Sequence, residues 1–83
     1  MALKIRFLLW GPLRVAAGTA EAIVDLPEGI GVGDALDVFY ASRPDLLPHR
    51  RGTRVAVGNE YAAEGQALRE SDVVSLIPPV QGG

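Results

Sequence analysis

The chain has 83 residues, of which 48% are hydrophobic and 22% charged, and its formal net charge is −2. This size and composition are typical of one small globular domain with a modest core, and they exclude disorder throughout the chain. The absence of cysteine excludes a disulfide framework, a thiolate metal site and a cysteine nucleophile, and it favours a cytoplasmic protein.

Two further function classes find no support in the sequence. The apolar run at 7–10 is too short for a signal segment or a membrane span, so we expect no membrane association. The main basic cluster is His49, Arg50 and Arg51, with Arg54 nearby, and we interpret it as a solvated loop. We therefore expect no nucleic-acid partner.

The first half of the chain predicts a β-hairpin followed by a helix. LKIRFLLW at 3–10 alternates apolar and charged residues as a half-buried strand does, and Gly11-Pro12 ends it. AEAIVDL at 20–26 predicts a second strand, joined to the first by a long loop. VGDALDVFYASRP at 32–44 has the apolar spacing of an amphipathic helix.

The second half predicts three further strands. Residues 45–52 form a loop whose Leu46 and Leu47 pack on the core; strands are expected at 53–57, 61–63 and 73–77. The order predicts an α+β fold, with one main helix on a mixed sheet of four to five strands. Pairing the first and last strands in parallel at the centre gives the β-grasp, or ubiquitin-like, arrangement. We predict one domain over 1–77 and a flexible tail over 78–83.

The tail, PPVQGG, suggests a segment built to enter a partner's active site. Glycine allows close approach to another backbone, and proline keeps the preceding chain extended. A terminal carboxylate must be activated before it can accept sulfur or an amine, and this chain has no phosphate-binding loop with which to do so. We therefore expect another protein to activate Gly83. The expected inserted residues are Pro78, Pro79, Val80, Gln81, Gly82 and Gly83.

Apolar residues on the wrong side of two predicted strands indicate a second feature. Leu8 and Trp10 lie opposite the core face of the first strand, and Val73 and Ile77 lie opposite that of the last. If these strands are neighbours, the four residues form an exposed patch of the kind that marks an interface. The alternative is that loops of the chain cover this face, with Trp10 packed under Pro12 and Leu13.

Several segments together resemble the small subunit of molybdopterin synthase, the sulfur carrier of molybdenum cofactor biosynthesis. They are GPLRVAAG at 11–18, VDLPEG at 24–29, VGDALD at 32–37, VAVGNE at 55–60, the L-x-x-S-D turn at 68–72 and PPVQGG at 78–83. Two positions depart from the resemblance. Ser71 stands where glycine is expected, and Ala62, an expected interface residue, is smaller than expected.

The resemblance implies a reaction scheme for Gly83. An adenylating E1-like enzyme activates Gly83 with ATP, and a sulfur donor protein converts it to a thiocarboxylate. The sulfur then passes to cyclic pyranopterin monophosphate (precursor Z) in the large subunit, where it builds the molybdopterin dithiolene. The chain is then a non-catalytic donor subunit that binds no metal or cofactor itself. The implied assembly is a heterotetramer of two large and two small subunits.

Three alternatives stay open at this point. The chain could deliver sulfur for thiamine synthesis or tRNA thiolation, or it could be a protein modifier conjugated through Gly83. It could also be an interaction domain with an inert tail. The roles of Arg14, His49, Arg50 and Arg51 are not decided by the sequence.

Overall fold

A computed structural model describes residues 2–63 and 65–79 of the chain. The elements, in chain order, are β1 (Ala2–Leu9), α1 (Gly11–Ala17), β2 (Glu21–Pro27), α2 (Val32–Ser42), a 3₁₀ helix (Pro44–His49), β3 (Arg54–Val57), β4 (Glu60–Tyr61) and β5 (Val73–Ile77). Among the described residues, no helix is long and apolar enough to cross a membrane.

The five strands form one sheet in the order β2-β1-β5-β3-β4. β1 pairs with β5 in parallel, with Phe7 opposite Val74 and Leu9 opposite Leu76, while the other three pairings are antiparallel. The predicted β-grasp arrangement is confirmed, including the parallel pairing of the first and last strands. β5 is the middle strand, flanked by β1 and β3.

The core lies between one face of the sheet and α2. The alternating residues of β1 supply Leu3, Ile5, Phe7 and Leu9. The apolar face of α2 supplies Val32, Ala35, Leu36, Phe39 and Tyr40. The rings of Phe7 and Phe39 stack with centroids 4.5 Å apart, which joins the helix to the sheet beside β5. The opposite face of the sheet is largely exposed or half-buried.

The predicted long loop between the first two strands was wrong, because residues 11–17 form the short helix α1. Pro12 lies in its first turn, where the backbone N–H that proline lacks would have no helical acceptor. Leu13 is fully buried and attaches the helix to the core. Gly18 ends the helix in a left-handed conformation and donates its N–H to the Arg14 carbonyl at 3.0 Å.

The segment after α2 also differs from its prediction. Residues 44–49 form a 3₁₀ helix where a loop was expected. The expectation of core packing is confirmed for Leu46, which is fully buried, and wrong for Leu47, which is 51% exposed. α2 ends at Ser42, and Arg43 takes a non-helical conformation (φ −132°, ψ 69°), as the following Pro44 dictates.

The later strands are close to their predicted positions. β5 has its predicted bounds, and β3 begins one residue later than expected. β4 is a two-residue strand at Glu60–Tyr61, so the prediction of a strand over 61–63 was shifted, and Ala62 follows the strand.

Candidate functional site

The sheet topology fixes where the tail leaves the domain. β1 runs parallel to β5, so the two strands end at the same edge of the sheet. β3 runs antiparallel, with Arg54 opposite Ile77, so β3 begins at that edge. The residues that follow β1 and those that precede β3 therefore flank Pro78 and Pro79. We call this region the tail root.

Two glycines face the prolines at the tail root. A Cβ placed on Gly11 would lie 3.2 Å from Cγ of Pro78, and a Cβ placed on Gly52 would lie 3.6 Å from Cγ of Pro79. Both glycines have positive φ, +54° and +85° respectively, in the region that disfavours other residues. Pro78 is half-buried and Pro79 is exposed.

Two adjoining depressions open beside the tail root on the sheet face opposite α2. The first, of about 300 Å³, is lined by Trp10, Ala56, Gly58, Asn59, Tyr61, Ser75 and Ile77. The second, of about 470 Å³, is lined by Gly52, Arg54, Tyr61, Ile77, Pro78 and Pro79. Tyr61 and Ile77 line both, so the tail root is bordered by a continuous surface rich in aromatic and aliphatic groups.

The Arg54 guanidinium lies over the ring of Tyr61. The Arg54 guanidinium carbon lies 5.6 Å from the ring centroid, within cation–π range. Tyr61 is 67% exposed and Trp10 is 50% exposed. The aromatic groups at the tail root are thus available to a partner, with a positive charge next to one of them.

The predicted interface residues are brought together in part. Leu8, Val73 and Ile77 share the sheet face opposite α2 and are half-buried. Ile77 adjoins Trp10, whose exposure does not fit the alternative of a ring packed beneath a loop. Val73 lies towards the far end of the face, in a charged depression with Lys4 and Arg6. The interface itself stays a prediction.

Ala62 does not join this surface. It packs against the core and lines a cleft of about 250 Å³ on the helix side of the sheet, with Val32, Leu36, Tyr40, Arg50, Thr53 and Val55. Val80, Gln81, Gly82 and Gly83 lie outside the described residues, so the roles predicted for them stay predictions.

The basic cluster is partly structural. The Arg50 guanidinium pairs with the Asp37 carboxylate at 2.7 Å and lies 5.3 Å from the centroid of the Tyr40 ring. Burial raises the pKa of the Tyr40 phenol, while the nearby Arg50 charge and a hydrogen bond with Thr53 act in the opposite direction. The His49 carbonyl accepts the Thr53 hydroxyl. Arg51 and Arg14 are exposed.

Sequence reasoning missed several residues of the tail root. Gly11 and Gly52 were interpreted only as a strand breaker and a loop residue, and Tyr61 only as part of a strand. Their proximity to the tail follows from the β1-β5-β3-β4 strand order, which brings together segments that are distant in the chain. An aromatic residue at the start of a short predicted strand was the available signal for Tyr61.

These features define the class of protein as a ubiquitin-like β-grasp domain whose tail extends from the middle strand of the sheet. The chain belongs to the ThiS family, whose model matches residues 7–83 and so includes the whole PPVQGG segment. The predicted resemblance is confirmed at the level of this family.

Individual relatives agree with this assignment. The molybdopterin synthase sulfur carrier subunit of Chlamydomonas reinhardtii is 30% identical over 98% of this chain and 100% of its own length. Small archaeal modifier protein 1 of Haloferax volcanii is 34% identical over 90% of this chain and 95% of its own. A crystal structure of the latter superposes with a TM-score of 0.88, covering 96% of this chain and 99% of that one at 31% identity.

A more distant structure shows the same fold. The Helicobacter pylori protein–protein complex of subunits 1 and 2 of molybdopterin-converting factor contains a chain that superposes with a TM-score of 0.73 at 18% identity. The superposition covers 98% of this chain and 100% of that one. Taken together, the relatives support the prediction of a ubiquitin-like sulfur-carrier protein similar to the small subunits of molybdopterin synthase.

Proposed function

We propose that the chain is the sulfur-carrier subunit of a molybdopterin synthase, with Gly83 as the sulfur-bearing residue. The observation that carries the proposal is the match to the ThiS family through Gly83, together with relatives named as sulfur carrier subunits of molybdopterin synthase over nearly the whole chain. The geometry agrees, because β5 delivers the tail from the middle of the sheet beside exposed aromatic groups.

The chemistry at Gly83 proceeds in three steps. The carboxylate attacks the α-phosphate of ATP on an adenylating E1-like partner, which releases pyrophosphate and leaves an acyl-adenylate. A persulfide of a donor protein then displaces AMP and forms an acyl disulfide, and a thiol cleaves its S–S bond reductively, which leaves the thiocarboxylate on Gly83 and a disulfide on the donor side. The absence of cysteine in this chain suits such a carrier, since no internal thiol can compete for the acyl group.

The receiving partner is the large subunit, into which the tail inserts so that the thiocarboxylate sulfur reaches precursor Z. The Helicobacter pylori complex of the two subunits supports this pairing, as does the apolar surface bordered by Trp10, Tyr61 and Ile77. Interfaces of this kind bury aromatic anchors in partner pockets. Two copies of each chain complete the proposed heterotetramer.

A protein-modifier role is the second candidate, because small archaeal modifier protein 1 is among the most similar relatives. In that role the activated Gly83 forms an isopeptide bond with a lysine of another protein. Both candidates require the same activation step, and they differ in the product that accumulates.

Intact mass spectrometry of the chain purified from its own cells, with fragmentation of the C-terminal peptide, tests the proposal. We expect the mass gain of sulfur replacing oxygen, located on Gly83. Fragmentation is needed because oxidation elsewhere adds nearly the same mass. A Gly83 found only as carboxylate or joined to lysines, with the adenylating partner active, would overturn the sulfur-carrier role.

A deletion of Gly82 and Gly83 provides the matched genetic test. The deletion removes no element of the described fold, so circular dichroism and the unfolding midpoint are expected to match those of the full chain. Molybdenum cofactor synthesis is expected to be lost. Normal cofactor synthesis by the shortened chain would instead identify the tail as inert.

A further inference from the structure

Gly11, at the start of α1, and Gly52, in the turn before β3, face the first two tail residues from either side of β5. Gly11 follows β1 and faces Pro78, while Gly52 precedes β3 and faces Pro79. The four residues form a compact contact at the edge of the sheet, which we call the glycine seat.

The fit at Gly11 is tight for a side chain. At 3.2 Å, a Cβ on Gly11 would be closer to Pro78 Cγ than such contacts ordinarily are, so the proline would have to shift by a few tenths of an ångström. Pro78 is half-buried, which limits the room for that shift. The Pro78 ring therefore occupies its place because residue 11 has no side chain.

The fit at Gly52 is looser but adds a second point. A Cβ there would make an ordinary contact with Pro79, at 3.6 Å to Cγ and 3.9 Å to Cδ. Each proline has a fixed φ, so two consecutive rings held on opposite sides of β5 leave the backbone little rotational freedom. The close approach at Gly11 thus limits the position of Pro78, and the fixed φ of each proline limits the direction in which the chain continues.

We propose that Gly11 and Gly52 are positioning residues that set the point and direction from which the tail leaves the domain. This inference rests on the proposed function, in which Gly83 must reach reacting atoms inside a partner. A misplacement of about 1 Å can lower the rate of such a step by roughly a hundredfold.

Two other glycines separate positioning from simple backbone strain. Gly18 (φ +74°) ends the same short helix that Gly11 begins, and Gly29 (φ +83°) matches Gly52 in φ. A Cβ at either would meet nothing within 4 Å. Substitution at these positions imposes comparable left-handed strain without touching the tail.

The decisive measurement is the distance between two nitroxide labels in the free protein. The chain has no cysteine, so Ala41→Cys on the exposed face of α2 and Gln81→Cys in the tail provide two unique attachment sites. We expect Gly11→Ala to shift or broaden the distance distribution by pulse electron resonance, whereas Gly18→Ala leaves it as in the parent. The same distribution in Gly11→Ala and Gly18→Ala would overturn the proposal.

A second pair of variants keeps the proposal testable if Gly11→Ala does not fold. Gly52→Leu extends a side chain towards Pro79, and Gly29→Leu carries the same strain into open space. We expect the distance distribution to change in the first and not in the second. Equal distributions would overturn the role of the seat.

A kinetic readout separates positioning from binding. With the adenylating partner and ATP, Gly11→Ala is expected to lower kcat for acyl-adenylate formation, measured as pyrophosphate release, while KM for the carrier stays close to the parent value, since the docking surface is unchanged. A change in KM alone would contradict the proposal. The label distances do not depend on sulfur chemistry, so failure of the proposed function appears separately, as an unmodified Gly83 in the parent.

Discussion

Phe7 of β1 and Phe39 of α2 stack nearly parallel, with ring centroids 4.5 Å apart and planes 12° from each other. Both rings are fully buried, and Phe7 lies opposite Val74 of β5 in the parallel ladder. The stack therefore connects the helix to the strand pair from which the tail extends. We expect the stability of the fold to depend on this contact.

Removal of one ring tests that dependence. Phe39→Ala is expected to lower the free energy of unfolding by about 3–5 kcal/mol, because it removes a buried ring and leaves a cavity. Val38→Ala, on the same helix at 42% exposure, is the control and should change stability by less than about 0.5 kcal/mol. Urea unfolding measures the free energy of unfolding of both variants. Comparable losses in the two would contradict the claim that the stacked ring stabilises the fold more than an exposed side chain does.

Ser71 occupies a backbone conformation that favours glycine. Glycine was expected at this position, and Ser71 has φ +71°, the one positive φ among the described non-glycine residues. The turn is held by Asp72, whose carboxylate accepts the Arg69 backbone N–H at 2.8 Å. The side chain of residue 71 itself is exposed, so the turn needs its backbone conformation and not its hydroxyl.

Ser71→Gly is therefore expected to stabilise the fold by about 0.5–1 kcal/mol, the strain relieved less the added entropy of glycine in the unfolded chain. Ser75→Gly in the extended β5 is expected to destabilise the fold, because glycine relieves no strain there and the packing of the serine side chain is lost. Thermal unfolding of the two variants distinguishes them. A loss of stability in both would show that Ser71 is not strained.

Tyr40 predicts a loss of stability at alkaline pH. Burial raises its pKa above the ordinary value of 10, so the folded state favours the neutral phenol. This contribution is fully present below the pKa of the unfolded chain and is lost as pH rises through the raised pKa of the folded state. Stability should thus decline as pH increases above about 10.

Tyr40→Phe is expected to remove part of this alkaline decline, since no phenol then has to be kept neutral in the fold. Tyr61→Phe, at an exposed tyrosine, is the control and should retain the decline of the parent. Urea midpoints measured from pH 7 to pH 11 provide the comparison. Equal alkaline slopes for the parent and Tyr40→Phe would refute the burial argument.

Prediction from sequence succeeded where periodicity and local chemistry agree. The alternation in β1 and the apolar spacing in α2 each identify a buried face, and with the element order they led to the β-grasp fold. The helix α1 was missed because Gly-Pro is a breaker after a strand but is also compatible with the first turn of a helix. Only the burial of Leu13, a tertiary effect, decides between the two.

The candidate site was predictable in its chain position and not in its surroundings. The sequence showed the tail, and it showed that the apolar Ile77 lies on the side of its strand opposite the predicted core face. Tyr61 and Gly52 adjoin the tail because β3 pairs with β5 and β4 pairs with β3, and pairing of that kind is a long-range property that no local pattern encodes. Ala62 was misjudged by the same effect: it follows β4 and packs on the core side instead of the exposed face.

Trp10 provides the last test, that of the predicted partner surface. Its ring is half exposed and lines the depression at the tail root with Tyr61 and Ile77. Exposed tryptophans at the centre of an interface act as anchors, and their truncation commonly costs about 2 kcal/mol or more of binding free energy. Trp10→Ala is therefore expected to weaken binding to the large subunit by roughly thirtyfold.

Leu47→Ala, at 51% exposure but outside these depressions, is the matched control and should bind like the parent. Isothermal titration calorimetry gives both affinities, and unfolding midpoints verify that each variant is folded. Equal affinities for Trp10→Ala and the parent would place the partner surface elsewhere on the domain.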